Sequence, residues 1–478
     1  MSPGTSGGLS LHKLAVSRIS GDRLNPPLPC LPKGGLPVIS KKRLVYNTAL
    51  LTSSSLLMSC IGIAFQVWLV GRIGSAGIGL FQLVSSVTNL CATFAISGIR
   101  FATTRLVAEE LGNDNSPGIR SAMGRCLGYG AVFGFAASAV LWLLAEPIGF
   151  LWIGDARTVM SLRLSAWSMP CISLCASISG YFTASGRVWK PTLIHLIEQL
   201  TGIFLVALFL YLTPSADIER SCASVTLGRL AADFLSLGMM LAAYLLDWRH
   251  HYGRNIKAQA PTARMLKIAL PLAVSAYARS ALNTIQHLLV PRGLKAAGYS
   301  ADGALSGYGT IQGMVLPIIL FPSCIMSAVA ELIVPELTGA QVQQDGNTIR
   351  STTKKLFSMS LLFSGAVGLF MFLFADRLGV AVYKSYDAGG YIRILAPLVP
   401  IMYTDMTVDG CLKGLGQQVW CMGINILDSL LGLLLVWAFL PRYALTAYIA
   451  MIYITETINF VLSSRRLWKI VRESPSAP

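Results

Sequence analysis

A few arginines and carboxylates stand in stretches of sequence that are otherwise apolar, and their spacing limits the chemistry open to them. Arg279, Asn283 and Gln286 recur at i, i+4 and i+7, so a helix would present them on one face. A guanidinium about fourteen residues into an apolar run is too deep to snorkel to water. Its planar fork takes phosphate oxygens two at a time, so an anionic ligand such as a diphosphate would suit it. The alternative is an ion pair with an acid on another helix. Arg229 and Asp233 are four apart, the spacing of an internally neutralised pair, with a substrate role second. Gln66 and Ser59 share a stripe with Thr52, Ser55 and Gly62 that fits either helix packing or the polar wall of a cleft. Glu198, Asp428, Asp405 and Asp409 are expected to couple an ion or to hold helix bundles together, with Lys413 on the face of Asp405 and Asp409.

Catalysis has little support. The chain has no GxSxG, no GxxxxGK[ST] and no HExxH. Its ten cysteines show no CxxC or Cys/His spacing, and two of its five histidines, His250 and His251, sit in a basic stretch. No enzyme activity, metal or cofactor is expected.

These groups must be positioned by elements that live in lipid. The chain is 54% hydrophobic and 13% charged over 478 residues, far from a soluble composition. Apolar runs of about 20 residues, the length that crosses a bilayer as a helix, recur along it. Spans are expected near 44–70, 80–99, 126–150, 161–184, 191–213, 221–246, 266–290, 306–334, 356–375, 391–415, 418–440 and 444–463. With both termini in the cytoplasm, most Lys and Arg fall on that side, as the positive-inside rule requires. Much of the net charge of +16 is explained this way, so no nucleic-acid partner is called for. The basic stretch 249–267 is expected to face anionic membrane lipid.

The chain also repeats itself. Residues 179–200 return at 409–430 without a gap: Gly180 answers to Gly410, Gly186 to Gly416, Ile194 to Ile424 and Glu198 to Asp428. Arg163, Ala166 and Pro170 answer to Arg393, Ala396 and Pro400 at the same offset of 230. The expected architecture is all-α and polytopic, with about twelve helices in two six-helix bundles, 41–248 and 265–464. A basic cytoplasmic linker, 249–264, joins them. A disordered cytoplasmic tail, 1–40, precedes them and a second tail, 465–478, follows. Even numbers of spans make the repeats parallel, related by an axis along the membrane normal, with the site at their interface.

Three stretches carry a family resemblance: "GRIGSAGIGLFQLV" at 71–84, "PTLIHLIEQL" at 191–200, and "NTIQHLLVPRGLKAAGYSADGALSGYGTIQGMVLPIILFPS" at 283–323. They resemble the stage V sporulation protein B group of polysaccharide transporters, in the multidrug/oligosaccharidyl-lipid/polysaccharide exporter superfamily. The resemblance implies a V-shaped pair of bundles alternating between inward-open and outward-open states in a bacterial cytoplasmic membrane. It also implies a lipid-linked saccharide as substrate, in envelope or spore-cortex synthesis, with a coupling ion as a further partner. One departure is Arg100 in "SGIRFATTRLVAEELG", where the family pattern leads one to expect a small residue or proline. Two other readings stand beside it. A multidrug and toxic-compound extrusion antiporter would commonly carry an acid in its first helix, which is absent here, and a non-transporting scaffold would not need polar faces in both halves.

Overall fold

A computed structural model describes residues 41–112, 116–213, 217–251 and 262–473. The tail 1–40, residues 252–261 of the linker and residues 474–478 lie outside the described residues. Among those described there is no strand. The first half comprises α1 (Lys41–Ile96), α2 (Ile99–Gly112), α3 (Ser116–Pro147), α4 (Val159–Ala166), α5 (Ser168–Ala184), α6 (Trp189–Leu212) and α7 (Ile218–His251). Then come α8 (Thr262–Ala296), α9 (Ala301–Gly309), a π-helical segment (Thr310–Val315), α10 (Leu316–Leu320) and α11 (Ser323–Val342). The chain closes with α12 (Gly346–Tyr383), α13 (Tyr386–Leu395), α14 (Val399–Gly414) and α15 (Gln418–Glu473).

By length and composition, seven of the described helices are apolar enough to cross a membrane, or eight if the bent pair over 156–184 forms one span. Spans expected separately at 44–70 and 80–99 lie in one helix, α1, interrupted at Gly74 (φ 71°, ψ 177°), a backbone conformation open essentially to glycine alone. The second long helix, α15, is interrupted at Ala444, three residues after Pro441. It runs on to Glu473, so residues 465–473 of the expected C-terminal tail are helical. At the ends of the expected linker, 249–264, α7 reaches His251 and α8 starts at Thr262. Asp345 caps α12; its side chain accepts from the Thr348 hydroxyl and backbone N–H, which hold the carboxyl below the usual carboxylate range.

The surface is arranged for lipid. Leu143, Leu362 and Leu373 are 74%, 77% and 63% exposed on their helices, while Ser173, Ser177 and Thr404 are fully buried. Water would favour the reverse. The buried hydroxyls join helices through backbone carbonyls, as Ser173 does to Ala95 O at 2.8 Å and Gly130 O at 2.7 Å. In hydrocarbon such a bond has no competing water.

The offset of 230 extends to hydrogen bonds. Gly186 and Gly416 end α5 and α14 with φ of 70° and 71°. Arg187 N–H donates to Phe182 O and Gln417 N–H to Leu412 O, both at 2.9 Å. Upstream, Asp155 N–H donates to Gly149 O and Ser385 N–H to Gly379 O. Even ion pairs match: Arg163 with Glu146 and Arg393 with Asp376, each at 2.6 Å. Glu198 and Asp428 follow, each twelve residues past its glycine turn. Because both turns need the left-handed region, Gly186→Ala and Gly416→Ala should each cost about 1 kcal/mol. The two costs should add in the double variant, since the turns lie in different halves. Thermal unfolding in detergent checks this, and no loss in either single variant would refute it.

Candidate functional site: a polar cavity and two acidic clusters

The second segment of α1 carries Gln82, Ser85, Ser86, Asn89 and Thr93 at helical spacing, and this polar stripe faces α8. Between them lies a cavity of about 310 Å³, lined on the α8 side by Arg279, Ser280, Asn283, Thr284 and His287. Tyr308 and Gln312, just before and within the π-helical segment, complete the wall. The Thr284 hydroxyl donates to Ser86 O at 3.1 Å and ties the two walls together.

Among the described residues no carboxylate lines this cavity. Arg279 makes no hydrogen bond or ion pair among the described residues, and it is exposed to the cavity. The groups around it are engaged from behind. His287 Nδ1 lies 3.1 Å from the Tyr308 hydroxyl, Gln312 Oε1 accepts from Tyr448 at 3.0 Å, and Asn283 Oδ1 lies 2.7 Å from Ser429 Oγ. A guanidinium among neutral polar groups has the donors to hydrogen-bond an anion's oxygens.

Gln286 does not join Arg279 and Asn283 there. It packs against Gly432 and directs Nε2 to Met451 Sδ at 3.6 Å, so it belongs to the contact between α8 and α15. The cavity-facing centre of α8 is rotated toward Ser280 and His287, leaving Arg279 at one edge and Gln286, about 20° further round, beyond it. The spacing was compatible with one face; the neighbouring helix divides it.

The stripe on α1 is divided too. Gln66 Nε2 donates to Gly313 O at 3.0 Å, bracing the π-helical segment. Ser59 and Gly62 line a mostly apolar cleft of about 380 Å³ with Leu56, Ile63, Leu320 and Phe321, to which Ser323 and Ser327 add hydroxyls. The side chains of Thr52 and Ser55 lie outside the described residues.

A chamber of about 420 Å³ in the first half collects Gln66, Glu198, Gln199, Arg229 and Asp233. It shares His195, Glu198 and Asp233 with a smaller space of about 210 Å³ that also holds Arg100 and Ser236. Glu198 Oε2 accepts from the Ser236 hydroxyl at 2.5 Å and lies 3.1 Å from His195 Nδ1. Among the described residues no direct salt bridge joins Arg229 to Asp233, although Asp233 feels the charge of Arg229. Both heads turn into the chamber, which also offers Glu198 as a second charge partner for the guanidinium.

In the second half, Asp405 of α14 feels the charges of Glu456 and Asp428 on α15, and its buried Oδ1 has no hydrogen-bond partner. None of these three forms an ion pair among the described residues. Asp409 does, with Lys413 at 2.6 Å, one turn along α14. Among the described residues no group of three or more His, Cys, Asp or Glu is arranged to hold a metal ion.

Sequence reasoning missed His287, Gln312 and the stripe from Gln82 to Thr93. The stripe was visible as a period in the span at 80–99, and His287 lies one turn beyond Asn283. Tyr308 and Tyr448 carried no signal, since their roles depend on which helix stands behind the wall.

The MatE family model matches the chain twice, over residues 51–208 and 294–438, in keeping with its internal repeat. Stage V sporulation protein B of Bacillus subtilis (strain 168) is 22% identical over 401 residues, covering 83% of this chain and 77% of that protein. Sporulation protein YkvU of the same organism is 20% identical over 378 residues, covering 78% and 83%. Among solved structures, an inward-facing multidrug resistance MATE family transporter of the MOP superfamily superposes with a TM-score of 0.67. Its identity is 14%, with 87% of this chain and 96% of that chain covered. A MOP superfamily transporter from Pyrococcus furiosus Vc1, whose binding pocket has reversed polarity, gives 0.61 at 13% identity, with 89% and 96% covered. The chain belongs to the MatE family and is similar to stage V sporulation protein B of Bacillus subtilis (strain 168).

Proposed function

We propose that this protein is a transporter, a flippase that moves a lipid-linked saccharide across the cytoplasmic membrane by alternating access. The observation that carries this reading is Arg279, a cation with no hydrogen-bond or ion-pair partner among the described residues, in a polar cavity that no described carboxylate lines. A diphosphate supplies the missing anion, and the neutral polar wall suits sugar hydroxyls. The apolar cleft at Ser59 would take the isoprenoid chain of a carrier outside the polar space.

The reading includes twelve passes in two parallel six-helix halves with both termini cytoplasmic. The breaks at Gly74 and Ala444, which divide the two longest helices, support that count. In this scheme the halves part where α1 meets α9 and where Arg157 bridges to Asp302 at 2.8 Å. Glu198 and Asp233 in one half, and Asp405, Asp428 and Glu456 in the other, are the groups proposed to take up and release a coupling proton or cation. Asp409 is left a structural role by Lys413.

The acidic chamber favours a second reading, export of an organic cation, because two carboxylates, Glu198 and Asp233, line it. Vesicles separate the two. Reconstituted protein should carry a fluorescent short-chain prenyl diphospho-saccharide between leaflets and should not drive efflux of ethidium. Ethidium efflux without lipid movement would overturn the flippase reading.

A further inference from the structure

His287 and Gln312 stand on the same cavity as Arg279, yet neither has a charge to offer a phosphate. What they present is fixed from behind. Tyr308 is 1% exposed, and its hydroxyl has no acceptor among the described residues other than His287 Nδ1. A buried O–H needs an acceptor, so Tyr308 donates. Nδ1 is then an acceptor, the ring is neutral, and its one N–H is at Nε2. Tyr448, 2% exposed, donates in the same way to Gln312 Oε1, leaving that amide its two N–H bonds. Two buried phenols thus turn two amphoteric groups of the wall into donors.

The distance along α8 assigns these donors to a part of the ligand. Arg279 and His287 are eight residues apart, about 12 Å along the helix axis. A diphosphate held at Arg279 does not span that length; the group attached to it does. We propose that His287 and Gln312 recognise the first sugar of the substrate, held as hydrogen-bond donors by Tyr308 and Tyr448. They select a sugar rich in acceptor oxygens, such as one bearing an acetamido carbonyl. Tyr308 and Tyr448 are positioning residues, which act through the groups they hold. The π-helical segment brings Gln312 to this wall, consistent with the frequent placement of π-bulges at functional sites. The inference rests on the flippase reading.

The test compares two soluble probes, a short-chain prenyl diphosphate and the same compound bearing one N-acetylated sugar, for binding to the full chain in detergent. The parent protein should prefer the glycosylated probe. His287→Phe and Gln312→Leu should each lower affinity for it by about tenfold, one lost hydrogen bond each, and leave the bare diphosphate within about twofold. His287→Gln, which keeps a donor near Nε2, should retain part of the preference. Tyr308→Phe, which frees the ring tautomer, should reduce preference without changing diphosphate binding. A parent protein that binds neither probe would overturn the flippase reading itself. A parent protein without preference, or variants that keep it, would overturn only this inference. So would equal loss of both probes in a variant with parental thermal stability, which would move the residue to the phosphate. If His287→Phe fails to fold, Gln312→Leu and His287→Gln carry the comparison.

Discussion

Replacing Arg279 with alanine is expected to abolish transport and to weaken binding of a prenyl diphosphate by about a hundredfold, roughly 3 kcal/mol. Among the described residues the guanidinium is the one cation lining its cavity, and no acid neutralises it there. Loss of the side chain therefore removes charge-assisted bonds to the ligand without leaving a buried carboxylate unpaired. That distinction predicts a second result: the alanine variant should unfold at the parental temperature. Arg279→Lys keeps the charge and loses the fork, so binding should fall about tenfold while transport persists at a reduced rate. Binding by Arg279→Ala equal to that of the parent protein would refute the assignment. A large drop in unfolding temperature would instead return Arg279 to a structural role.

Much of the fold was legible because its signals are local or periodic. Apolar run length, the glycines at 186 and 416, and the ungapped offset all need one chain and no neighbours. The repeat proved deeper than the residues first matched: Glu146 and Asp376 differ in type, so the ion pairs they make with Arg163 and Arg393 stand out only once the geometry is known. The cavity was less legible. Spacing fixes the angle between two side chains on a helix, and it leaves open which neighbour that angle faces. For this reason Arg279 and Asn283 reach the cavity while Gln286 meets α15. Arg229 and Asp233 illustrate the same limit. Their i, i+4 spacing permits contact, and the open chamber beside them offers both heads an alternative.

Gly79→Val is expected to destabilise the protein by about 3 kcal/mol or more and to eliminate transport. Here α1 crosses α9 with almost no side-chain spacer. A methyl group at Gly79 would overlap the Leu305 carbonyl, and one at Gly309 would overlap the Ser75 carbonyl. The Ser75 and Ser306 hydroxyls, 2.6 Å apart, close the same crossing. Such close approach is how helices gain contact in lipid, where apolar side chains have no hydrophobic preference for one another. The obstacle is backbone on both sides, which cannot rotate aside as a flexible side chain can, so the helix axes must separate. Separation would strain the bond from Gln66 to Gly313 and displace the π-helical segment that carries Gln312. Gly79→Ala and Gly309→Ala should each cost less than the valine variant, and together less than the sum of the two, because one separation relieves both overlaps. Gly128→Ala is the control, since a methyl group there meets open space; it should leave stability unreduced. Thermal unfolding in detergent, read beside lipid movement in vesicles, measures the series. A Gly79→Val protein that melts with the parent would show that the crossing does not hold the two helices together.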